Sequence, residues 1–264
     1  MTAPAFAAQL LGWKQSTKNK AGWNWVPNVA DVDNVESLTL AAGMLDNLGV
    51  LSPHHPTPNS GGTGLVLPPS NPGTHLENQV RATLDADLWR LDPARQWEVR
   101  RGALITDYAQ YAHLTAIDAL IRADPNLRVT VGRDYLIKPD VVVGLHGTPT
   151  VNPHPWMHAA VSCKWTIRSD RVQNIRHEFG QMVRHRRGRQ PHLVTVTAEP
   201  LPTRLASIAR GTGEVDATYH VAFDELATAV AASSNTGQQD AWAEVVGQGR
   251  LRDYNLLSDS LIAW

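Results

Sequence analysis

Two apolar, strand-like segments of this sequence each carry a charged residue that could act on a phosphate. Asp140 follows a proline at the mouth of the apolar run 141–143, and Lys164 emerges from the apolar run 160–163. A carboxylate and a lysine on adjacent strands could bind a hard cation and hold a water molecule beside a phosphate. Side chains two apart share a strand face, and the residue beside Lys164 on that face is Ser162 rather than an acid. A second carboxylate must therefore come from elsewhere.

The segment after the second strand supplies a candidate for that carboxylate. Arg171, Asn174 and Glu178 are spaced i, i+3, i+7, which places them on one face of a helix. Residues 168–171 add two arginines and an acid, and Arg can read guanine while Asp accepts from the cytosine amino group. One helix could thus carry base-reading groups at its start and a metal ligand two turns later. The alternative is that Glu178 forms a helix salt bridge with Arg171 or Arg176.

The charges are segregated along the chain, although the formal net charge is only -1. Residues 164–189 contain eight basic and two acidic side chains (8 − 2 = +6), whereas residues 210–264 contain three basic and eight acidic ones (3 − 8 = −5). Arg outnumbers Lys seven to one in the basic stretch. Because Arg makes bidentate contacts with phosphate and guanine, nucleic acid is the leading partner, and a solvated basic face is the alternative.

Composition limits the class of protein. With 264 residues, 42% hydrophobic and 19% charged, the chain can bury a sizeable core, which excludes wholesale disorder. No apolar run approaches the ~20 residues that span a bilayer, and no basic segment precedes the short apolar stretch at the start. Cys163 is the single cysteine, which excludes an internal disulfide and a thiolate zinc cluster. These features predict a cytoplasmic protein without a membrane partner.

The chain is expected to form one domain over residues 1–264. A helical segment over 1–51 is separated from a core over 74–264 by the stretch 52–73, which holds six prolines and four glycines. Such a composition is typical of a loop or extended arm.

Strand and helix patterns alternate in the core. Thr74 and Glu77 form a predicted capping box that opens a helix. The predicted helices are Val35–Leu48, Thr74–Leu91, Asp107–Arg122, Arg171–Arg187, Thr203–Arg210, Glu225–Ala232 and Ala241–Val246. The predicted strands are Leu127–Val131, Tyr135–Leu145, His158–Ile167, His192–Thr197 and Thr218–Phe223. This alternation indicates an α/β fold with a mixed central sheet flanked by helices.

Other chemistries find little support in the sequence. His154 and His158 are four apart, but Pro155 between them disfavours a continuous zinc-binding helix. The glycines of 61–64 lack the Gly-Lys-Ser/Thr ending of a phosphate-binding loop. No His/Asp pair is spaced for a nucleophilic triad.

At this point the residues resemble a known active site. Pro139-Asp140, Ser162-Cys163-Lys164 and Glu178 are similar to the permuted PD-(D/E)XK site of the type II restriction endonucleases that recognise CCGG cores. In that family the second acid lies on the helix instead of the strand. The run SCKWTIRSDRVQNIRHE and the stretches 200–219 and 249–253 resemble one member closely. The likeness is strong over the C-terminal half and faint before Thr74.

The resemblance implies a restriction-endonuclease-like fold and a Mg²⁺-dependent enzyme of a restriction–modification system. Such an enzyme would cut double-stranded DNA within a palindrome with a CCGG core, GCCGGC, and leave 5′-phosphate and 3′-hydroxyl ends. A palindrome implies a homodimer with each subunit cutting one strand, and the family further implies a homotetramer, a dimer of dimers.

The resemblance also assigns roles to residues. Asp140, Glu178 and the main-chain carbonyl of Cys163 would bind metal, and Lys164 would orient or polarise the attacking water. Glu77 falls where the family places a further catalytic carboxylate, with its capping box as the alternative. The residues implied in base reading are Arg168, Asp170 and Arg171 for the inner pairs and Arg204 for the outer guanine. The residues expected at the DNA backbone are Ser162, Ser169, Asn174, Arg186 and Arg187, with solvation the alternative for the two arginines.

Two rival functions remain open from the sequence. A sequence-specific DNA-binding protein without catalysis would explain 168–171 but gives no reason for Asp140, Lys164 and Glu178. A structure-specific repair or recombination nuclease of the same fold would explain both. A metal-independent footprint without nicking would favour the first, and cleavage of branched DNA would favour the second.

Overall fold

The strands and helices of this computed structural model follow one another through most of the chain. The described residues are 2–53, 67–124, 126, 129, 135–147, 153–167, 169–210 and 213–263. Their strands are β1 Trp13–Gln15, β2 Trp25–Pro27, β3 Trp97–Arg101, β4 Val141–Leu145, β5 Trp156–Lys164, β6 His192–Thr197, β7 Ala217–His220 and β8 Leu251–Asp253. Their α-helices are α1 Ala7–Leu10, α2 Val35–Asn47, α3 Pro72–Leu91, α4 Leu114–Ala123, α5 Ser169–His185, α6 Pro202–Ala209, α7 Phe223–Ala232, α8 Thr236–Gly247 and α9 Leu257–Ala263.

Six strands form the central sheet, in the order β3-β4-β5-β6-β7-β8. The β3–β4 and β4–β5 pairs are antiparallel, and the pairs from β5 to β8 are parallel. The three parallel crossovers run through α5, through α6, and through α7 with α8, as βαβ units require. The predicted mixed sheet with flanking helices is therefore confirmed.

Apolar strands fill the middle of the sheet. The side chains of 141–143 and 159–161 are all fully buried, so neither face of β4 or β5 meets water there. On one side α3 packs through Leu76, Val80, Leu84 and Leu88, a stripe with the i, i+4 spacing of a single helical face. The core thus fixes the ends of β4 and β5, where the charged residues lie.

Helix α2 agrees with its prediction, whereas α3 begins at a different residue from the one predicted. Helix α2 matches its prediction: Asn34 caps it by accepting from the Ser37 N–H, and Gly49 follows with a φ of +76°. The capping box at Thr74 is wrong, because α3 begins two residues earlier at Pro72 and Asn71 is its N-cap. Proline suits the first turn, where its missing N–H costs no bond.

Other predicted boundaries also shift. The helix expected over 107–122 is wrong in its first half, which holds a 3₁₀ turn at Ile105–Asp107 and a loop before α4. The strand expected from Tyr135 begins only at Val141, because Pro139 cannot donate to a ladder. The strand expected at 127–131 lies outside the described residues except for Val129, which is helical.

Several short elements went unpredicted. The segment 1–51 contains the antiparallel pair β1–β2 as well as helices. Strands β3 and β8 and helix α9 were also missed. Among the described residues, none of the helices has the length and apolar character needed to cross a bilayer.

His220, at the end of β7, predicts a stability that depends on pH. It is fully buried; its Nδ1 accepts from the Ala222 N–H at 3.1 Å, so its Nε2–H donates to the Glu199 carbonyl at 3.2 Å. Burial lowers the pKa of His220 from 6.5 to about 4. The neutral ring therefore contributes stability above pH 6.5 that is lost as the pH falls towards 4, by about 3 kcal/mol.

The variant His220→Asn isolates this contribution, since its amide oxygen can still accept from Ala222. We expect the variant to be less stable than the wild type at pH 7 and the difference in unfolding free energy to shrink as the pH falls from 6.5 to 4. Urea unfolding of both proteins across that range measures it. A difference that does not change with pH would contradict the prediction.

Candidate active site

The antiparallel pairing of β4 and β5 brings the two predicted strand-end residues together. Val141 pairs with Val161, so Asp140 lies beside the last residues of β5. Beyond that last pair the Cys163 N–H has no partner on β4, and the Asp140 carboxylate accepts it through Oδ2 at 2.7 Å. Lys164 Nζ donates to the same oxygen at 2.7 Å, and Ser162 Oγ lies 3.5 Å from it. The predicted convergence of Asp140 and Lys164 is thus present in the fold.

The predicted helical acid faces the same place. Glu178 is half-buried on α5 and lines a cleft of about 600 Å³ together with Lys164, Cys163 and Asn174. Burial raises the pKa of Glu178; the charge of Lys164 opposes this rise, and the charge of Asp140 adds to it. Glu178 therefore interacts electrostatically with both strand-end residues. Of the two arginines in the salt-bridge alternative, Arg176 donates instead to the Ser207 carbonyl at 2.7 Å, and the side chain of Arg171 lies outside what the structure describes.

Glu77 enters the cleft from α3. Its carboxylate forms an ion pair with Arg101 at the end of β3, and Arg101 also donates to Asn78 Oδ1 at 2.6 Å. The carboxylate therefore has a cationic partner from another element and no capping role at the helix start. The partner was missed because β3 was not recognised in the sequence.

The start of α5 lies just beyond the end of β5. Ser169, Asp170 and Arg171 form its first turn, so the predicted base-reading segment leads directly away from Lys164. Arg168 lies outside the described residues. The roles of these four residues at DNA stay predictions.

Arg204 lies in the first turn of α6, at a second cleft of about 790 Å³ that it shares with Gln173 and Arg176 of α5. Its guanidinium pairs with Asp31 and lies 3.8 Å from Glu199 Oε1. Sequence reasoning missed both acids, since neither lies in a motif or at a helical spacing from Arg204. The predicted inner and outer base readers thus stand on neighbouring helices.

Arg186 and Arg187 lie at the other end of α5. Seventeen residues at ~1.5 Å each separate the helix ends by about 25 Å. Arg186 Nη1 donates to the Val183 carbonyl at 2.6 Å, and the Arg187 N–H donates to the Gln110 carbonyl. A contact with DNA at the cleft is difficult from there, and their backbone role stays a prediction.

Comparison with known proteins decides the family. The model described as "NgoMIV restriction enzyme" matches residues 13–148 and 144–261. The type II restriction enzyme NgoMIV of Neisseria gonorrhoeae is 35% identical over 278 aligned positions, which cover 94% of this chain and 93% of that enzyme. The chain belongs to the NgoMIV restriction enzyme family. It is a type II restriction endonuclease, a site-specific deoxyribonuclease that binds DNA.

This likeness to NgoMIV confirms the resemblance seen in the motifs and corrects its extent. The match begins at residue 13, whereas the motifs indicated only a faint likeness before Thr74. A solved complex titled "Restriction endonuclease PspGI-substrate DNA complex" is also similar, with a TM-score of 0.39 and 12% identity over 74% of this chain and 61% of that one.

Within the endonuclease, the described residues contain no group of three or more His, Cys, Asp or Glu side chains placed to hold a metal. The predicted ligand set needs only two such side chains, Asp140 and Glu178, with a main-chain oxygen of Cys163. Mg²⁺ is commonly held by one or two carboxylates and keeps several waters. The absence of a larger cluster is therefore compatible with the predicted Mg²⁺ ligands, which are two carboxylates and one main-chain oxygen.

Glu77→Gln is expected to lower the cleavage rate of the endonuclease by about tenfold. The effect is modest because Arg101 already neutralises much of the Glu77 charge at the rim of the cleft. Single-turnover cleavage of a DNA duplex measures it, with Asp85→Asn, on the same helix and paired with Arg81, as the control that should cut like the wild type. A loss as large as that of a metal ligand would show that Glu77 acts in the reaction itself.

Proposed function

We propose that this endonuclease hydrolyses double-stranded DNA in a Mg²⁺-dependent reaction at a palindrome with a CCGG core, GCCGGC. The products would carry 5′-phosphate and 3′-hydroxyl ends. The observation that carries the proposal is the convergence of Asp140, Lys164 and Glu178 on one cleft beside the start of α5.

The charges of the cleft fit a divalent cation. The charge of Asp140 makes ionisation of Glu178 more costly and so adds to the raised pKa of Glu178. A cation held by both carboxylates would offset this repulsion. When bound, Mg²⁺ would supply a Lewis acid that lowers the pKa of a water and neutralises charge on the phosphate.

The protein's own residues would position and stabilise the reacting groups. Lys164 supplies a fixed positive charge at the end of β5, held in place by Asp140 Oδ2. It would align the nucleophilic water for in-line attack and stabilise negative charge on the phosphate oxygens. Because Asp140 also accepts the Cys163 N–H, one carboxylate sets the relative position of both strand ends.

Target recognition would come from the helices next to the cleft. Arg168, Asp170 and Arg171 would read the inner CCGG pairs, and Arg204 the outer guanine. Ser162, Ser169 and Asn174 would contact the DNA backbone near the cleft, and Arg186 and Arg187 would do so farther along α5. Asn174 supports this by lining the cleft beside Glu178.

A palindromic target further implies a two-fold dimer, in which each subunit cuts one strand. We infer a homodimer on each site and a homotetramer as the complete assembly. Residues 1–264 would form one endonuclease domain, acting in the cytoplasm.

The test uses two plasmids that are identical except at the two outer base pairs of one six-base site. One carries a single GCCGGC and the other a single ACCGGT, and each is incubated with the protein and Mg²⁺. We expect only the plasmid with GCCGGC to be linearised, and sequencing of its ends to place the cut within that site. The ends should ligate without prior phosphorylation, because they carry 5′-phosphate and 3′-hydroxyl groups. Protection of a site without nicking, or cleavage confined to branched DNA, would instead select one of the rival functions.

A further inference from the structure

Glu199 is a fully buried carboxylate between β6 and α6, and the catalytic proposal does not use it. Its backbone is fixed on both sides: the Glu199 N–H donates to Thr197 Oγ1 at 3.1 Å, and His220 donates to the Glu199 carbonyl. A buried carboxylate is costly unless hydrogen bonds satisfy it. The groups that satisfy this one therefore indicate its role.

Each carboxylate oxygen of Glu199 binds a different segment of the chain. Oε2 accepts the Ile167 N–H at 2.7 Å, two residues before α5 begins at Ser169. Oε1 accepts the Leu201 N–H at 3.2 Å, and Leu201 is the N-cap of α6. One side chain thus joins the entry of α5 to the entry of α6.

The same side chain also faces Arg204. The Arg204 guanidinium lies 3.8 Å from Oε1 and is held on its other side by Asp31. Ile167 and Arg204 both line the second cleft, between the two helices. Glu199 thus contacts both the segment that leads into α5 and the guanidinium of Arg204.

Ionisation of an acid at this position is costly. Burial raises the pKa of Glu199 to about 7, even though the N–H groups of Ile167 and Leu201 and the charge of Arg204 act in the opposite direction. A neutral side chain would avoid this cost of ionisation, but it would leave either the Ile167 or the Leu201 N–H without its acceptor. The two carboxylate oxygens are therefore needed for the two segments that Glu199 joins.

We propose that Glu199 is a positioning residue for target recognition, holding Arg204 on α6 in register with the first turn of α5 so that outer and inner base pairs are read together. This rests on the proposed function, in which Arg204 reads the outer pair and Asp170 and Arg171 read inner pairs. Glu199 itself touches no base.

Glu199→Gln tests the proposal with little change in volume. Glutamine has one acceptor oxygen and one NH₂ group, so it can accept from Ile167 or from Leu201 but not from both. We expect discrimination by kcat/KM between GCCGGC and ACCGGT to fall by about tenfold or more. Discrimination against a changed inner pair and kcat on GCCGGC should stay within about threefold of the wild type.

Asp253→Asn is the matched control. Asp253 is also buried, and its carboxylate accepts a backbone N–H two residues later, from Asn255 at 2.9 Å. It lies on β8, two strands away from β6. This variant should lose stability at most and keep the wild-type discrimination at both outer and inner pairs.

The outcomes separate the two proposals. If the wild type cuts no palindrome, the proposed function fails. If it cuts and Glu199→Gln is folded with unchanged outer-pair discrimination, the positioning role is overturned. Should Glu199→Gln fail to fold, Glu199→Asp, which is one methylene too short to reach both N–H groups, is measured in its place. Failure of both to fold would assign Glu199 a purely structural role and also overturn the proposal.

Discussion

Lys164→Ala is expected to bind its DNA site and to cut it at least about 10³-fold more slowly than the wild type. The Lys164 ammonium lies 2.7 Å from Asp140 Oδ2, at the end of a strand that is buried from Met157 to Cys163. Removing it takes away a fixed positive charge where negative charge would develop on the phosphate. The backbone that places Asp140 is unaffected, because the Cys163 N–H still donates to that carboxylate.

Two measurements on the same protein check this expectation. Nicking and linearisation of supercoiled plasmid in Mg²⁺ follow cleavage, and a gel-shift titration in Ca²⁺ follows binding. Lys138→Ala is the matched control, since Lys138 is an exposed lysine two residues before Asp140 and its side chain lies against Gly102. It should cut within about threefold of the wild type. Cleavage by Lys164→Ala at the wild-type rate would remove Lys164 from the reaction.

The convergence of Asp140, Lys164 and Glu178 could be predicted from local periodicity together with the resemblance to the PD-(D/E)XK site. Alternation along β5 places Ser162 beside Lys164, and helical spacing places Asn174 and Glu178 on one face of α5. Because β4, β5 and α5 follow one another along the chain, few spatial arrangements of the residues they carry are possible. The central strands could be predicted because short apolar runs such as 141–143 are typical of buried strands.

The partners of the other acids could not be predicted, because they come from distant segments. Glu77 is paired by Arg101, 24 residues away on a strand whose charged residues hid its pattern. Glu199 accepts a backbone N–H from a residue 32 positions earlier in the chain. Because every residue except proline has such an N–H, no sequence spacing identifies the donor. Asp31 meets Arg204 across 173 residues. Such contacts are set by tertiary packing and leave no mark on local sequence.

Proline and short strands account for the remaining errors in the fold. Pro72 starts α3 earlier than the predicted capping box, and Pro139 delays β4, each through its missing N–H. Strands of three residues such as β1 and β8 are too short to show alternation. These strands depend on pairing with a neighbour for their stability.

Glu178→Gln is expected to reduce cleavage by about 10³-fold while leaving DNA binding intact. The variant keeps the size of the side chain and removes the charge that the proposed cation needs. Binding should not weaken, because loss of a carboxylate from the cleft also removes repulsion of the phosphate. Single-turnover cleavage over a series of Mg²⁺ concentrations measures the loss, and Glu244→Gln, an exposed acid paired with Arg210, serves as a control that should cut normally.

The pH dependence distinguishes a metal ligand from an acid that only shapes the cleft. Burial raises the pKa of Glu178, so a proton competes with the cation for this carboxylate at a higher pH than it would for an exposed glutamate. The wild type should therefore need more Mg²⁺ for half-maximal cleavage at lower pH. The residual activity of Glu178→Gln should lack that part of the pH dependence, since an amide does not titrate. Equal dependence in both proteins would mean that Glu178 is not the second carboxylate, and that the acid completing the site must be sought elsewhere.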